Sequence, residues 1–285
     1  MTVAVLLREA AASLSAAGVG EYMFEAELLM AEALGMNRAG VIARLKDTPD
    51  ADAVDRFHKL VARRAGREPL QYITGRQEFY GHTFHVAPGV LVPRPETEII
   101  VEVGIAFIKE TGGRTAADIG TGSGCIAISL AAGLPEAVIY AIDSSDAALK
   151  IAAENAGQNG VAGRVRFLRG DLFGPLAEAG LTGGLDLIVS NPPYIPSVDI
   201  QGLQAEVGFE PLQALDGGQD GLDIVREIIR QAPEYLKPGG GLLIETGFGQ
   251  AGAVRDIVED IPGLEYIKYI PDFAGIERVL VARKS

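Results

Sequence analysis

The sequence is short of the residues that build metal and disulfide chemistry. It holds one cysteine, Cys125, and three histidines, His58, His82 and His85, in 285 residues. A single thiol excludes an intramolecular disulfide and a zinc cage of several thiolates. No histidine stands close to Cys125 in sequence, so no transition-metal site is expected. His82 and His85 in "HTFH" read as two histidines of a hairpin strand. Long hydrophobic runs are missing too. No stretch of about 18 apolar residues occurs, so no membrane span is expected. The opening "MTVAVLLREAAASL" meets Arg8 and Glu9 before an apolar region builds up, unlike a targeting segment. A soluble cytoplasmic protein is the expectation.

Basic charge is scarce, and unevenly so. The net charge is −13. Residues 1–75 carry 9 Lys and Arg against 10 Asp and Glu, whereas residues 76–285 carry 16 against 28. Tight binding of DNA or RNA needs a basic surface to neutralise phosphates. The larger part of this chain repels polyanions. Apolar residues make up 48%, an ordinary globular fraction, and the length suffices for two domains of unequal size.

Residues 1–75 read as a small helical domain. In "FEAELLMAEALG", Phe24, Leu28 and Ala31 share a face and Gly35 stops the run. In "DADAVDRFHKLVARRAG", Val54, Phe57 and Val61 recur at helical spacing. Asp50 or Asp52 caps the start and Gly66 the end, with His58 at the surface or boundary. Residues 76–95 read as a hairpin around Gly81 and a linker punctuated by Pro88, Pro93 and Pro95. Pro95, Glu96 and Glu98 suit the first turn of the next helix.

Residues 96–285 alternate strand and helix, which predicts a parallel sheet covered on both faces. The strands are "TAADI", "AVIYAI", "RVRFL", "LDLIVS", "GGLLIET", "LEYIKYI" and "IERVLVARK". Only "PDFAG" separates the last two, so they form a hairpin and the last strand is reversed. The expected fold is α/β: a seven-stranded sheet with one reversed strand near its edge, behind an N-terminal helical domain.

The first of these strands runs into "DIGTGSGC". Gly120, Gly122 and Gly124, with Thr121 and Ser123 between them, allow tight turns and close approach of a ligand to the main chain. The helix starting near Cys125 would direct free N–H groups at that ligand. A plain strand-to-helix turn is the other reading of such a loop. Asp143 ends the second strand, 19 residues after Gly124, where a carboxylate can accept from both hydroxyls of a ribose. Asp171 ends the third strand, with Leu172 and Phe173 as an apolar wall. Alone it reads as a cap or turn residue; in series the three strand ends outline an adenosine pocket. Cys125, in an apolar run, reads as a core cysteine rather than a nucleophile.

The fourth strand ends in "VSNPPYIP". Asn191 offers an acceptor oxygen and two donor hydrogens. Pro192 and Pro193 freeze the backbone and leave carbonyls as acceptors. Tyr194 supplies a flat face. The set suits a planar NH₂ group: the Asn191 oxygen takes one hydrogen, the Pro192 carbonyl the other, and Tyr194 packs on the π-system.

"DIGTGSG" and "NPPY" together resemble S-adenosylmethionine-dependent methyltransferases acting on planar nitrogens. The sheet then corresponds to their Rossmann-like class I fold. "EPLQYITG", "VPRPETE", "AIDSSDAALKIAAENA", "GDLF", "FEPLQALDGGQDGL" and "AGIERVLVARK" narrow the likeness to the release factor glutamine methyltransferases, over about three quarters of the chain. Leu172 departs from relatives that carry tryptophan there. The resemblance implies that S-adenosylmethionine lies against Gly120 to Gly124 with its ribose on Asp143. The glutamine of a release factor's Gly-Gly-Gln loop would enter beside Asn191, in support of translation termination. "EPLQALDGG" would wall the pocket, and the helical domain would recognise the body of the release factor.

Alternatives remain. N6-adenine and N4-cytosine nucleic-acid methyltransferases use a related tetrapeptide, but they need phosphate contacts that this charge disfavours. A non-catalytic docking module would be expected to have lost Gly120, Gly122, Gly124, Asp143 or Asn191. Arg94 and Glu96 either line the substrate entrance or belong to a stiff linker. Arg63, Arg64 and Arg67 are expected to be exposed, as a solvated face or a docking patch. Gly217-Gly218-Gln219 repeats the letters of the expected target by coincidence.

Overall fold

The computed structural model describes all 285 residues. By contact the chain forms two compact units, residues 1–76 with 204–209, and residues 77–203 with 210–285.

The first unit is helical: α1 (Val3–Ala16), α2 (Tyr22–Leu34), α3 (Arg38–Ala43), α4 (Ala51–Ala65) and the short α5 (Leu70–Thr74). The Asp50 carboxylate caps α4 by accepting from Ala53 N at 2.7 Å. Gly35 ends α2 in the left-handed conformation. The buried stripe of α2 is Ala26, Leu29, Met30 and Ala33, together with Ala31. The face expected through Phe24 and Leu28 is therefore rotated. Phe24 is exposed, and the Arg38 guanidinium lies 5.0 Å from its ring centroid. A cation over the aromatic face gives this exposed ring a partner at the surface.

The expectation of three exposed arginines holds for Arg63 and is corrected for Arg64 and Arg67. Arg64 is buried and pairs with Glu25 and with Glu206, the latter at 2.9 Å. Arg67 reaches the other Glu206 oxygen at 2.6 Å. Charges this far from water are held only by partners of opposite sign. The partner lies some 140 residues away in sequence, so helical periodicity could not reveal it.

The second unit opens with a hairpin of β1 (Arg76–Phe79) and β2 (His82–His85), then α6 (Glu98–Thr111). The sheet and its helices follow: β3 (Thr115–Ile119), α7 (Cys125–Gly133), β4 (Val138–Asp143), α8 (Asp146–Gln158), β5 (Val165–Arg169), α9 (Gly174–Glu178), β6 (Leu185–Ser190), α10 (Asp223–Tyr235), β7 (Leu236–Glu245), α11 (Ala251–Glu259), β8 (Leu264–Pro271) and β9 (Glu277–Lys284). The strand order is β5-β4-β3-β6-β7-β9-β8, and β9 runs antiparallel to both neighbours. Successive strand residues feed two cores. Ala116, Leu187 and Leu243 face one, with α6 and α7; Ala117, Ile188 and Leu242 face the other, with α10 and α11. This alternation in a sheet covered on both sides is why its strands read as nearly continuous apolar runs.

The topology positions the site. From β3 the chain winds outward to β5, then returns to pair β6 on the other side of β3. The loops leaving β3 and β6 therefore part at one point of the carboxyl edge, where open α/β sheets hold ligands. The Ser190 hydroxyl donates to the Ile119 carbonyl at 2.7 Å and ties these two strand ends together.

Candidate active site

A cavity of about 730 Å³ opens at this edge. Gly120, Gly122, Asp143, Asp171, Leu172 and Asn191 line it, together with Pro192 and Pro193. Four strand ends predicted to share a pocket are thus brought together. The volume is within the range that takes a nucleoside-sized ligand.

The glycine loop shapes the floor with its first three N–H groups turned to the protein. Gly120 N and Thr121 N both donate to the Ile142 carbonyl, at 2.9 and 2.8 Å. Gly122 N donates to Asp143 Oδ2 at 2.9 Å. At the start of α7, Ala127 N donates to the buried Asp118 carboxyl. Of the amides expected to be free at this helix end, that of Ala127 is therefore engaged within the protein. Gly120 and Gly122 have φ of +76° and +56°, and a Cβ built on either would meet open space. Only glycine adopts these angles freely and leaves the floor bare for a ligand.

Asp143 also accepts from Ser145 N through Oδ1, at 2.9 Å. A carboxylate has about four acceptor directions. Two hold the loop and two remain on a residue that lines the cavity, which suits a pair of hydroxyl donors. The bare floor and this acceptor fit an adenosyl ligand.

Other predicted residues lie off the cavity. Thr121 is buried, and its hydroxyl donates to Asp118 Oδ2 at 2.7 Å. Ser123 is buried, and its carbonyl accepts from Asn155 at 2.9 Å. A Cβ on Gly124 would stand 2.8 Å from Ile128 and 3.0 Å from Ala152, so this glycine serves helix packing. Phe173 is a core residue stacked on Tyr235 at 4.8 Å between centroids, not part of the pocket wall. Cys125 is buried, and burial pushes its thiol up to about 12, as a core cysteine requires.

Around the tetrapeptide, Asn191 Nδ2 donates to Thr97 Oγ1 at 3.1 Å. Thr97 and Glu245 are both buried. Burial pushes Glu245 up to about 7, against the pull of Thr97 and Arg278, and its Oε2 has no partner. Tyr194 packs beside this cluster rather than on the cavity wall. Burial, and after it the Glu245 charge, pushes its hydroxyl up to about 12, so it stays protonated. Its carbonyl accepts from Gln250 Nε2 at 2.8 Å. Arg94 lies 2.8 Å from both oxygens of Glu210.

Sequence reasoning passed over Asp118, Thr97, Glu245 and Asn155. Asn155 is fully buried and joins β2 to the glycine loop through the main chain of His85 and through Ser123. A polar residue on the inner face of α8 was the signal available for it. Pro211 to Ala214 and Asp216 to Gly218 line the cavity, as the resemblance implied. No group of three or more His, Cys, Asp or Glu side chains stands in metal-binding geometry. No helix is long and apolar enough to cross a membrane.

Residues 5–75 match the family described as PrmC N-terminal domain, and residues 110–260 match a methyltransferase domain family. A release factor glutamine methyltransferase of Moorella thermoacetica is 44% identical over 99% of this chain and 98% of its own. That of Cereibacter sphaeroides is 42% identical over 99% of each. Among solved structures, the hMettl16 catalytic domain in complex with MAT2A 3′UTR hairpin 6 superposes with a TM-score of 0.57 at 18% identity. It covers 79% of this chain and 81% of that one. A methyltransferase from Pyrococcus furiosus gives 0.51 at 19%, over 72% and 90%. At these identities the structures report the fold.

Proposed function

The chain belongs to the release factor glutamine methyltransferase family, and from that premise we propose that it methylates the side-chain N5 of the glutamine in the Gly-Gly-Gln loop of peptide-chain release factors. S-adenosylmethionine, when bound, supplies an electrophilic methyl group. Asp143 would hold its ribose, Gly120 and Gly122 would form the floor beneath it, and Asp171 with Leu172 would border the adenine.

The target nitrogen is a poor nucleophile, because its lone pair is delocalised into the amide carbonyl. Asn191 Oδ1 and the Pro192 carbonyl would accept its two hydrogens and draw the nitrogen toward tetrahedral geometry. The same acceptors stabilise positive charge developing on it. Tyr194 and the two prolines hold the frame. Fixing both reactants in a rigid frame supplies about 7 kcal/mol or more in favourable cases. The methylated nitrogen is acidic enough to lose its proton to water, so no strong base is needed. We assign release-factor recognition to residues 1–75 and transfer to residues 96–285, in the compartment where translation terminates.

The observation that carries this reading is the orientation of the Asn191 amide. Its nitrogen is engaged by Thr97, and its oxygen is the atom left to accept at the cavity. The acidity of residues 76–285 favours a protein over a nucleic-acid substrate. The test is incubation with labelled cofactor and three acceptors: a release factor, its Gly-Gly-Gln glutamine-to-alanine variant, and duplex DNA. Label in the first alone is the expected result. Label in DNA, or in both proteins equally, would overturn the assignment.

A further inference from the structure

The Asn-Pro-Pro-Tyr tetrapeptide is held at both ends. Asn191 follows the last residue of β6, and its Nδ2 donates to Thr97 Oγ1. At the far end the Tyr194 carbonyl accepts from Gln250 Nε2 at 2.8 Å. The same side-chain amide accepts from Gly247 N through Oε1, also at 2.8 Å. Gln250 thus gives its donor to one segment and its acceptor to the other, and joins the tetrapeptide to the loop between β7 and α11. A Cβ on Gly247 would stand 3.1 Å from the Tyr194 ring, so this loop backs the ring as well.

Residues 215–221 close over this joint. Ile195 N donates to the Leu215 carbonyl at 3.0 Å, Gly217 N to the Ile195 carbonyl at 2.9 Å, and Ser197 N to the Gly218 carbonyl at 2.9 Å. This short ladder brings Gly221 against the Tyr194–Gln250 hydrogen bond. A Cβ there would stand 2.3 Å from the Tyr194 carbonyl oxygen and 2.7 Å from Gln250 Nε2. Gly221 is buried with φ +79°, so glycine is the residue that fits. A Cβ on Gly217 would in turn stand 2.5 Å from the Gly221 carbonyl oxygen. The glycines of "DGGQDG" therefore have a packing reason of their own, unrelated to the target loop whose letters they repeat.

Pro192 and Pro193 have fixed φ, so the tetrapeptide has few internal hinges. With both ends fixed, the direction of the Pro192 carbonyl is fixed too. We propose that Gln250 is a positioning residue for methyl transfer, whose NH₂ group holds the Tyr194 end of the frame that presents Asn191 Oδ1 and the Pro192 carbonyl to the target nitrogen. This rests on the reading of the tetrapeptide as the target-binding frame. The needs of the α11 loop alone do not call for an amide here. Gln250 stands at the N-terminus of α11, where its side chain caps no helix N–H. A glutamate would accept from Gly247 equally well and would suit the positive end of the helix better. The NH₂ is what a glutamate lacks, and the Tyr194 carbonyl is what uses it.

The test compares kcat, KM for a release factor and cofactor Kd in wild type, Gln250→Glu and Gln250→Met. Gln250→Glu keeps the acceptor for Gly247 and sets an acceptor against the Tyr194 carbonyl. It is expected to lower kcat about tenfold or more, with KM and cofactor Kd each within about twofold of wild type. Gln250→Met removes both hydrogen bonds without that repulsion, and is expected to show the same split with a similar loss of kcat. A side chain that only ties down the loop ahead of α11 would instead leave Gln250→Glu as active as wild type. A kcat within about twofold of wild type in Gln250→Glu would therefore overturn the proposal, as would a loss of cofactor affinity as large as the loss of kcat. If Gln250→Glu does not fold, Gln250→Met decides by the same thresholds. A wild type that fails to methylate any release factor would instead overturn the underlying reading.

Discussion

The Gly122 N–H donates to the Asp143 carboxylate at 2.9 Å, so one side chain both braces the glycine loop and faces the cavity. Asp143→Asn turns one acceptor oxygen into a donor facing a donor. Cofactor affinity is expected to fall about 10- to 100-fold, the scale of one lost charged hydrogen bond. Isothermal titration measures it, and an unchanged Kd would remove Asp143 from the ribose site.

Two glycines of one loop are expected to fail in different ways. Gly124→Ala forces a Cβ against Ile128 and Ala152 at φ +82°. It should lower stability by about 1–3 kcal/mol in urea unfolding. Gly122→Ala meets open space at φ +56°, so its stability loss is about 1 kcal/mol, while its methyl stands on the cavity floor and weakens cofactor binding. Equal effects of the two on stability and on binding would contradict this division.

Stability is expected to fall as pH rises from about 5 to 8. Burial pushes Asp118 and Glu245 up to about 7, from ordinary values of 3.8 and 4.5. Between the ordinary and the folded values the folded chain holds protons that the unfolded chain has released, so stability is lost as pH climbs to the folded values and levels off above them. Each group contributes on the order of 2–3 kcal/mol. Asp186 and Glu206 lie below their ordinary values, because hydrogen bonds from Lys237 and Arg67 outweigh burial. Their contribution is lost only at lower pH and is constant here. Urea unfolding at pH 5.5 and 8 checks this, and Glu245→Gln should lessen the difference. A wild-type stability equal at both pH values would sink it.

Arg64 is expected to be costly to truncate. Arg64→Ala leaves Glu25 and half of Glu206 without their partner in a low-dielectric setting, a loss of about 3–5 kcal/mol. Replacing Arg64 and Glu25 together by methionine and leucine should recover much of it. Denaturation of the two variants decides; a loss under about 1 kcal/mol for Arg64→Ala would mean that the pair is solvated.

What could be read from the sequence was what local pattern encodes. The seven strands, the reversed last strand and the glycine loop follow from periodicity and turn chemistry within short windows. Asp143, Asp171 and Asn191 were legible because the fold places strand ends at one edge. Thr97 was not, because its meaning lies in a hydrogen bond to Asn191, 94 residues away. Arg64 reads as a surface charge on its helix, and only its partners Glu25 and Glu206, both far away in sequence, explain its burial. Phe24 shows the same limit: its ring stays outside, beneath Arg38 from another helix.

The central claim is methyl transfer to one glutamine side chain. The most direct measurement is tandem mass spectrometry of a release factor after incubation with this protein and S-adenosylmethionine. The account predicts a single methyl on the side-chain nitrogen of the Gly-Gly-Gln glutamine, abolished by Asn191→Ala. A methyl on any other residue, or one that persists in Asn191→Ala, would contradict it.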